Sequence, residues 1–361
     1  MSKLVTIALL IFVGIGALYV IYNNARTVSK KTELKKVISK IVSSPEIIPQ
    51  KETQEYIFVP YWTFEKNIVI NSDNPLIYFG LGVNSSGIEL SDKGYERLKP
   101  FISFTPNAKE RVLTIRMVDA TINAQVLKDQ VLEEKIANDA VNFAKDNGFD
   151  AVLLDFETSA FAFDSTVSNI SDFYTLFSKI THENGLKFYV TLFGDTYFRT
   201  RAYDIKKIGK LADKVMIMTY DFHKSKGNPG PNFPLYDDKE YGYDLSKMVT
   251  DFQKDVENQK IVIVLGYFGY DWRIDKDQKA LSSGVSLSTN EIKKEFISNC
   301  EYKNCSLART PNSNEPTVTY VDDSGRQHIV WFEDEISINK KIEILKTKGI
   351  SEIGYWAYSY F

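Results

Sequence analysis

The sequence predicts an α/β chain folded as a (β/α)8 (TIM) barrel, preceded by an N-terminal transmembrane helix and interrupted by a small insertion before the last helix. Three observations carry this. Eight short apolar runs recur from Tyr56 onward, each rich in β-branched or aromatic residues, the pattern of strands buried on both faces. Longer stretches with helical spacing lie between several of them. Eight strands in about 305 residues suit a closed barrel better than an open, doubly wound sheet.

The runs are residues 57–62, 76–83, 112–118, 151–156, 187–192, 214–220, 261–266 and 352–358. Helices are expected over 131–147, 168–184, 245–257 and 335–348; in the first, Val131, Ile136, Ala140, Val141 and Ala144 fall on one side. Gly148, Gly185 and Gly349 follow three of these stretches, where C-terminal caps belong. The barrel domain is placed at 55–361, with an insertion at about 275–332 holding a hairpin, 317–321 and 327–331 around a turn at 323–325. Cys300 and Cys305 also lie in it, as a small disulfide or as two free thiols.

Ahead of the barrel, residues 4–22 are uncharged and almost wholly apolar. At about 1.5 Å per residue they span about 28 Å, one hydrocarbon thickness. Lys3 precedes the run and no small-x-small cleavage site follows it, so residues 1–22 read as an uncleaved signal anchor. Residues 23–54 read as a stalk, rich in Lys, Ser and Glu, with Leu34, Val37, Ile38 and Ile41 at helical spacing before Pro45 and Pro49.

Composition narrows the function. Hydrophobic residues at 43% and charged residues at 25% are globular values, and a net charge of −3 argues against a basic nucleic-acid surface. His182, His223 and His328 lie far apart and no Cys-x-x-Cys occurs, so no metal site is expected. Gly14-x-Gly16 and Gly80-x-Gly82 lack the context of a phosphate loop. Aromatic residues at 13% suit an aromatic core and mildly favour a carbohydrate cleft.

Chemistry in such barrels sits at the C-terminal strand ends. Strand four ends Leu153-Leu-Asp155-Phe-Glu157. Asp155 and Glu157 are two apart, so they share a face about 6.6 Å apart along the strand, with Leu153 below them and Asp150 on the opposite parity. Two inward carboxylates are costly to ionise together; one pKa should rise, making that group a candidate general acid.

These residues carry a resemblance. Asp150-x-x-x-x-Asp155-x-Glu157 resembles the strand-four signature D-x-x-D-x-D-x-E of glycoside hydrolase family 18, the chitinase family. Met218-Thr-Tyr220-Asp221 looks like its M-x-Y-D, and Trp356 matches the Trp of its last strand. Gly269-Tyr-Asp-Trp272 and the segment from Trp331 to Lys341 look closest to a branch that includes spore-cortex N-acetylglucosaminidases. The resemblance spans about 55–361. It implies cleavage of β-1,4 links beside N-acetylglucosamine, in chitin or peptidoglycan, by a substrate-assisted retaining route with no cofactor. It implies Glu157 as catalytic acid, Asp155 as stabiliser of the acetamido cation and Tyr220 as hydroxyl donor to the acetamido oxygen. Asp221, Trp356, Met218 and Tyr61 are expected to bind substrate, Trp356 as an apolar floor and Tyr61, with Trp62, along the cleft. Arg116 and Asp195, near strand ends, read as ordinary ion pairs ahead of the alternative, substrate contacts.

The chain also departs from the family. Leu153 stands where many members have a middle Asp that shares a proton with the next carboxylate. Asp155 is therefore expected to keep one orientation. The family's Gly-x-Pro-x-Tyr-Gly is here Val264-Leu-Gly266-Tyr-Phe268-Gly269, which loses a hydroxyl at Phe268 that Tyr267 or Tyr270 would have to replace. Leu153 keeps open an alternative, a non-catalytic carbohydrate-binding protein at the cell surface. Orientation carries a conflict: Arg26, Lys30, Lys31, Lys35 and Lys36 follow the anchor, which the positive-inside tendency would keep in the cytoplasm. The substrate lies outside, and the domain is placed there, single-pass and extracytoplasmic.

Overall fold

The computed structural model describes residues 53–64, 70, 72–158, 160–236 and 238–361. The expected anchor and nearly all of the stalk lie outside the described residues. Among the described residues no helix is long and apolar enough to cross a membrane.

All eight expected strands form: β1 (Gln54–Pro60), β2 (Leu76–Asn84), β4 (Arg111–Met117), β5 (Ala151–Phe156), β6 (Lys187–Phe193), β7 (Lys214–Thr219), β8 (Ile261–Gly266) and β14 (Glu352–Trp356). Every neighbouring pair is parallel, in the order β1-β14-β8-β7-β6-β5-β4-β2, and β1 pairs with β2 to close the barrel. A two-residue strand, β3 (Gly87–Ile88), pairs antiparallel with the end of β2. The interior is filled by alternate side chains, among them Phe58, Ile77, Val112, Leu153, Met216 and Val262. The opposite parity of each strand packs outward on the helices. That two-sided burial is why the runs read as continuously apolar.

The helices are α1 (Lys93–Glu96), α2 (Leu98–Phe104), α3 (Ala120–Val126), α4 (Gln130–Asp146), α5 (Asp164–Glu183), α6 (Ile205–Leu211), α7 (Asp238–Tyr241), α8 (Leu245–Phe252), α9 (Thr289–Ile292) and α10 (Glu335–Thr347). Helix α4 starts at Asp129, whose side chain accepts the Leu132 N–H, and buries Ile136, Ala137, Ala140, Val141 and Ala144, one stripe at 3.6-residue spacing. Val131, assigned to that stripe, is instead exposed at 77%, since the helical turn puts it on the side opposite Ile136, Ala140 and Ala144. Helix α8 stops at Phe252, short of 257, because Lys254 and Asp255 donate to residues three back and tighten the chain into turns. Helices α1–α3, α6, α7 and α9 were not expected, being too short to show a period. Gly148, Gly185 and Gly349 all have φ between 68° and 76°, the left-handed cap conformation.

Between β8 and α10 lies a second, five-stranded antiparallel sheet: β9 (Phe268–Arg273), β10 (Val285–Ser288), β11 (Lys303–Arg309), β12 (Pro316–Val321) and β13 (Gln327–Phe332), ordered β10-β9-β13-β12-β11. The expected hairpin is β12–β13. The sheet starts at Phe268, seven residues ahead of the expected insertion, so Trp272 belongs to its core with Ile274 and Ile329. Cys300 and Cys305 are joined in a disulfide within it.

Candidate active site

The site grows out of β5. Ala151 and Leu153 point into the barrel with the inner cluster, while Val152, Leu154 and Phe156 pack outward. Asp155 continues the inward parity above Leu153 and is 2% exposed. The ladder to β4 extends one step further, the Glu157 N–H donating to the Met117 carbonyl at 2.8 Å, so Glu157 leaves the strand on the same face. Two side chains clamp this exit. Asn123 Nδ2 donates to the carbonyls of Met117 and Glu157, at 2.6 and 2.7 Å. The Tyr203 hydroxyl donates to the Phe156 carbonyl at 2.8 Å and accepts the Thr158 N–H at 3.2 Å.

The carboxyls have different surroundings. Asp155 accepts a hydrogen bond from the Thr191 hydroxyl on β6 and lies in register with Arg116 on β4. Burial raises its pKa, and the Thr191 bond and the Arg116 charge oppose that rise. The Glu157 carboxyl makes no hydrogen bond or ion pair among the described residues. Its pKa is also raised, first by burial and then by the charges of Asp155 and Asp221, with Lys224 and Arg201 pulling the other way. Leu153 carries no charge below the pair, so Asp155 has Thr191 as its fixed partner rather than a carboxyl from the layer beneath.

Beside them, β7 ends at Thr219 and delivers Tyr220 and Asp221. Burial holds the Tyr220 hydroxyl well above its usual pKa, so it stays protonated and able to donate. Asp221 adopts a left-handed backbone, φ 58°. Its carboxylate accepts from the Tyr270 hydroxyl at 2.7 Å; burial raises its pKa and that bond opposes the rise. Tyr270 lies two residues beyond Phe268, whose ring packs edge-on to Tyr220 at 5.6 Å. Of the two tyrosines considered as replacements for the lost hydroxyl, Tyr270 is the one that reaches this group. Tyr267 packs against Tyr355 and Phe361.

An aromatic wall faces the carboxyls. Trp356, at the end of β14, packs against Phe79 (4.8 Å), Phe58 (5.7 Å), Trp62 (6.2 Å) and Tyr220 (6.3 Å), and the peptide bond after it is cis. Trp62 is 46% exposed and Tyr61 packs edge-on to it at 4.9 Å. Tyr61 also lies under the Arg116 guanidinium, 5.1 Å from the ring centre. Met218 is buried at the end of β7, in register with Phe193.

The structure thus brings Asp155, Glu157, Tyr220, Asp221 and Trp356 to one end of the barrel, with Tyr61 beside Trp62 at its edge. Met218 is buried at the same strand end. Arg116 and Asp195 form ion pairs as expected, Arg116 with Asp92 and Asp195 with Arg199 and Arg201. Sequence reasoning missed Thr191, Tyr203, Asn123, Tyr270 as an Asp221 partner, and Asn232. Of these Thr191 carried a signal, a polar residue at inward parity near a strand end, and Tyr270 stood out only as a replacement for the hydroxyl lost at Phe268. Among the described residues no group of three or more His, Cys, Asp or Glu is arranged to hold a metal ion.

The family described as Glycosyl hydrolases family 18 matches residues 100–360. The putative sporulation-specific glycosylase YdhD of Bacillus subtilis (strain 168) is 26% identical over 259 residues, 70% of this chain and 57% of that protein. The cortical fragment-lytic enzyme of Bacillus anthracis is 27% identical over 254 residues, 66% of this chain and 53% of that protein. The chain spans about half the length of the curated relatives it matches. Among solved structures, the Bacillus cereus spore cortex-lytic enzyme SleL superposes with a TM-score of 0.66 at 19% identity, covering 86% of this chain and 72% of that one. A family 18 N-acetylglucosaminidase from Paenibacillus barengoltzii gives 0.70 at 15% identity, covering 86% and 96%. At these identities the likeness shows a shared fold.

Proposed function

The chain belongs to glycosyl hydrolase family 18, and from that premise we propose that it is a glycosidase cleaving β-1,4 links next to N-acetylglucosamine in peptidoglycan. The observation that carries this is the pairing of an unpartnered, raised Glu157 with a buried, hydrogen-bonded Asp155 at the C-terminal mouth of the barrel. Relatives named for spore-cortex lysis and sporulation favour peptidoglycan over chitin.

Glu157, protonated near neutral pH, gives its proton to the glycosidic oxygen as the bond to the anomeric carbon breaks. The substrate's acetamido oxygen attacks that carbon from the opposite face and forms a cyclic oxazolinium. Asp155, fixed by Thr191, accepts the acetamido N–H and stabilises the positive charge, a preorganised electrostatic term. The Tyr220 hydroxyl donates to the acetamido oxygen and orients it. Asp221 holds the distorted sugar and Trp356 forms its apolar floor. Glu157, now ionised, takes a proton from water, whose oxygen opens the oxazolinium and restores the acetamide with net retention. The substrate is a wall polymer, so the barrel works outside the cytoplasm, the location that a signal anchor at residues 1–22 would provide.

The test compares the full chain with Glu157→Gln on N-acetylglucosamine oligomers and on purified peptidoglycan, with products read by mass spectrometry. Fragments with N-acetylglucosamine reducing ends from the wild type alone support the reading. Binding without cleavage by both proteins would replace it with the carbohydrate-binding alternative, for which Leu153 is the motivating feature.

A further inference from the structure

Asp221 sits in a backbone region that non-glycine residues seldom occupy, and something must hold it there. Its N–H donates to Asn232 Oδ1 at 3.0 Å. Asn232 is 3% exposed and all its polar groups are used. Nδ2 donates to the Phe268 carbonyl at 3.1 Å, the backbone N–H donates to Glu315 Oε2 at 2.6 Å, and the carbonyl accepts the Phe222 N–H at 2.8 Å. Phe268 opens β9, the strand that also carries Tyr270. One amide therefore ties the backbone of Asp221 to the strand whose hydroxyl binds the Asp221 carboxylate.

Asn232 is itself anchored from below. Glu315 also accepts the Phe233 N–H at 3.0 Å and Lys341 Nζ at 2.9 Å, and Lys341 bonds Glu333 as well. These three side chains have essentially no solvent exposure. A buried ion pair with its hydrogen bonds filled is rigid, because any movement would leave an uncompensated charge.

This inference rests on the reading of Asp221 as part of the saccharide site. We propose that Asn232, anchored by the buried Glu315–Lys341 pair, is a positioning residue that holds Asp221 left-handed and at a fixed separation from β9. Its carboxylate thereby meets Tyr270 and keeps its charge beside Glu157. The antiparallel insertion is then a working part of the active site, setting the geometry of a residue that belongs to the barrel.

The test uses the full chain with Asn232→Ala, Asn232→Asp, Asp221→Asn and the double variant Asp221→Asn/Asn232→Ala. kcat and KM are measured against pH on a saccharide substrate, and crystal structures of the Asn232 variants are determined. Asn232→Ala should lower kcat about 10- to 100-fold, the scale of a misplaced group at a reacting centre. It should also move the alkaline limb of the pH profile to lower pH, as Asp221→Asn does, since Asp221 is one of the charges that raise Glu157. The double variant should be no slower than Asp221→Asn alone, because the two act through one group. In the crystal the Tyr270–Asp221 bond should be lost.

Asn232→Asp keeps an acceptor for the Asp221 N–H but sets a carboxylate against the Phe268 carbonyl. It should retain the left-handed Asp221 and shift the limb part of the way, which preserves the test if the alanine variant does not fold. A wild-type pH limb with the Tyr270–Asp221 bond intact, or multiplying losses in the double variant, would overturn the proposal. If Asp221→Asn is itself fully active, the reading of the site fails instead. If the wild type cleaves nothing, the crystal structures still decide whether Asn232 holds Asp221.

Discussion

The molecule buries acidic groups in two places, and it treats them in opposite ways. Where β12, β13 and α10 meet, Glu315 and Glu333 share Lys341, and two backbone N–H groups complete the shell of Glu315. At the barrel mouth, Asp155 has one hydroxyl and Glu157 has no partner among the described residues. The first cluster is satisfied within the chain and is structural. The second forms no ion pair among the described residues; burial is the main cause that raises both of its pKa values, and the site leaves room for a substrate to complete it. Burial alone does not separate function from architecture; the presence of a built-in counter-charge does.

The sharpest way to break this comparison is to remove one member of each cluster. Glu157→Gln should lower the hydrolytic rate by about a thousandfold, the scale of a lost general acid, with no change in the circular dichroism spectrum. Lys341→Met should do the reverse in kind. Stranding two buried carboxylates should lower the unfolding free energy by about 3–5 kcal/mol in denaturant titrations. A Glu157→Gln protein that unfolds early, or a Lys341→Met protein as stable as the wild type, would erase the distinction.

The pH dependence sharpens it further. Glu157 acts as an acid only while protonated, so activity should fall as pH rises through its raised pKa. Stability follows the same sign. A carboxyl whose pKa is higher in the folded state favours folding fully below its unfolded pKa, and that contribution is lost as pH rises through the folded value. Thermal melts of wild type and Glu157→Gln should therefore differ little in acid, with the wild type falling behind as the pH rises. A constant gap across pH would place the Glu157 shift in doubt.

The smallest effect is expected at the link between the two regions. Tyr270→Phe removes one hydroxyl from Asp221; kcat/KM should drop by about tenfold at most, the value of a single hydrogen bond. A loss as large as that of Glu157→Gln would mean that Tyr270 touches the substrate directly.

Much of the barrel was legible because strands buried on both faces must be apolar at every position, and eight such runs leave few other architectures. Asp155 and Glu157 were legible because a period of two puts them on one face, and Tyr220, Asp221 and Trp356 because they match family motifs at strand ends. The short helices and the start of the antiparallel sheet at Phe268 were not: four to seven residues carry too little periodicity, and β9 follows β8 after a single residue.

By itself, then, the sequence determined which residues line the barrel and which carboxyls end β5, since side-chain alternation is a local property of the chain. The tertiary structure decided what those carboxyls meet. Thr191 reaches Asp155 only through the β5–β6 pairing, and Tyr270 reaches Asp221 only because the insertion sheet packs against the end of β7. Lys341 lies 26 residues from Glu315 along the chain yet neutralises it in the core. Such contacts depend on distance in space, and hydrogen bonds and charges across tens or hundreds of residues leave no period in the sequence to read.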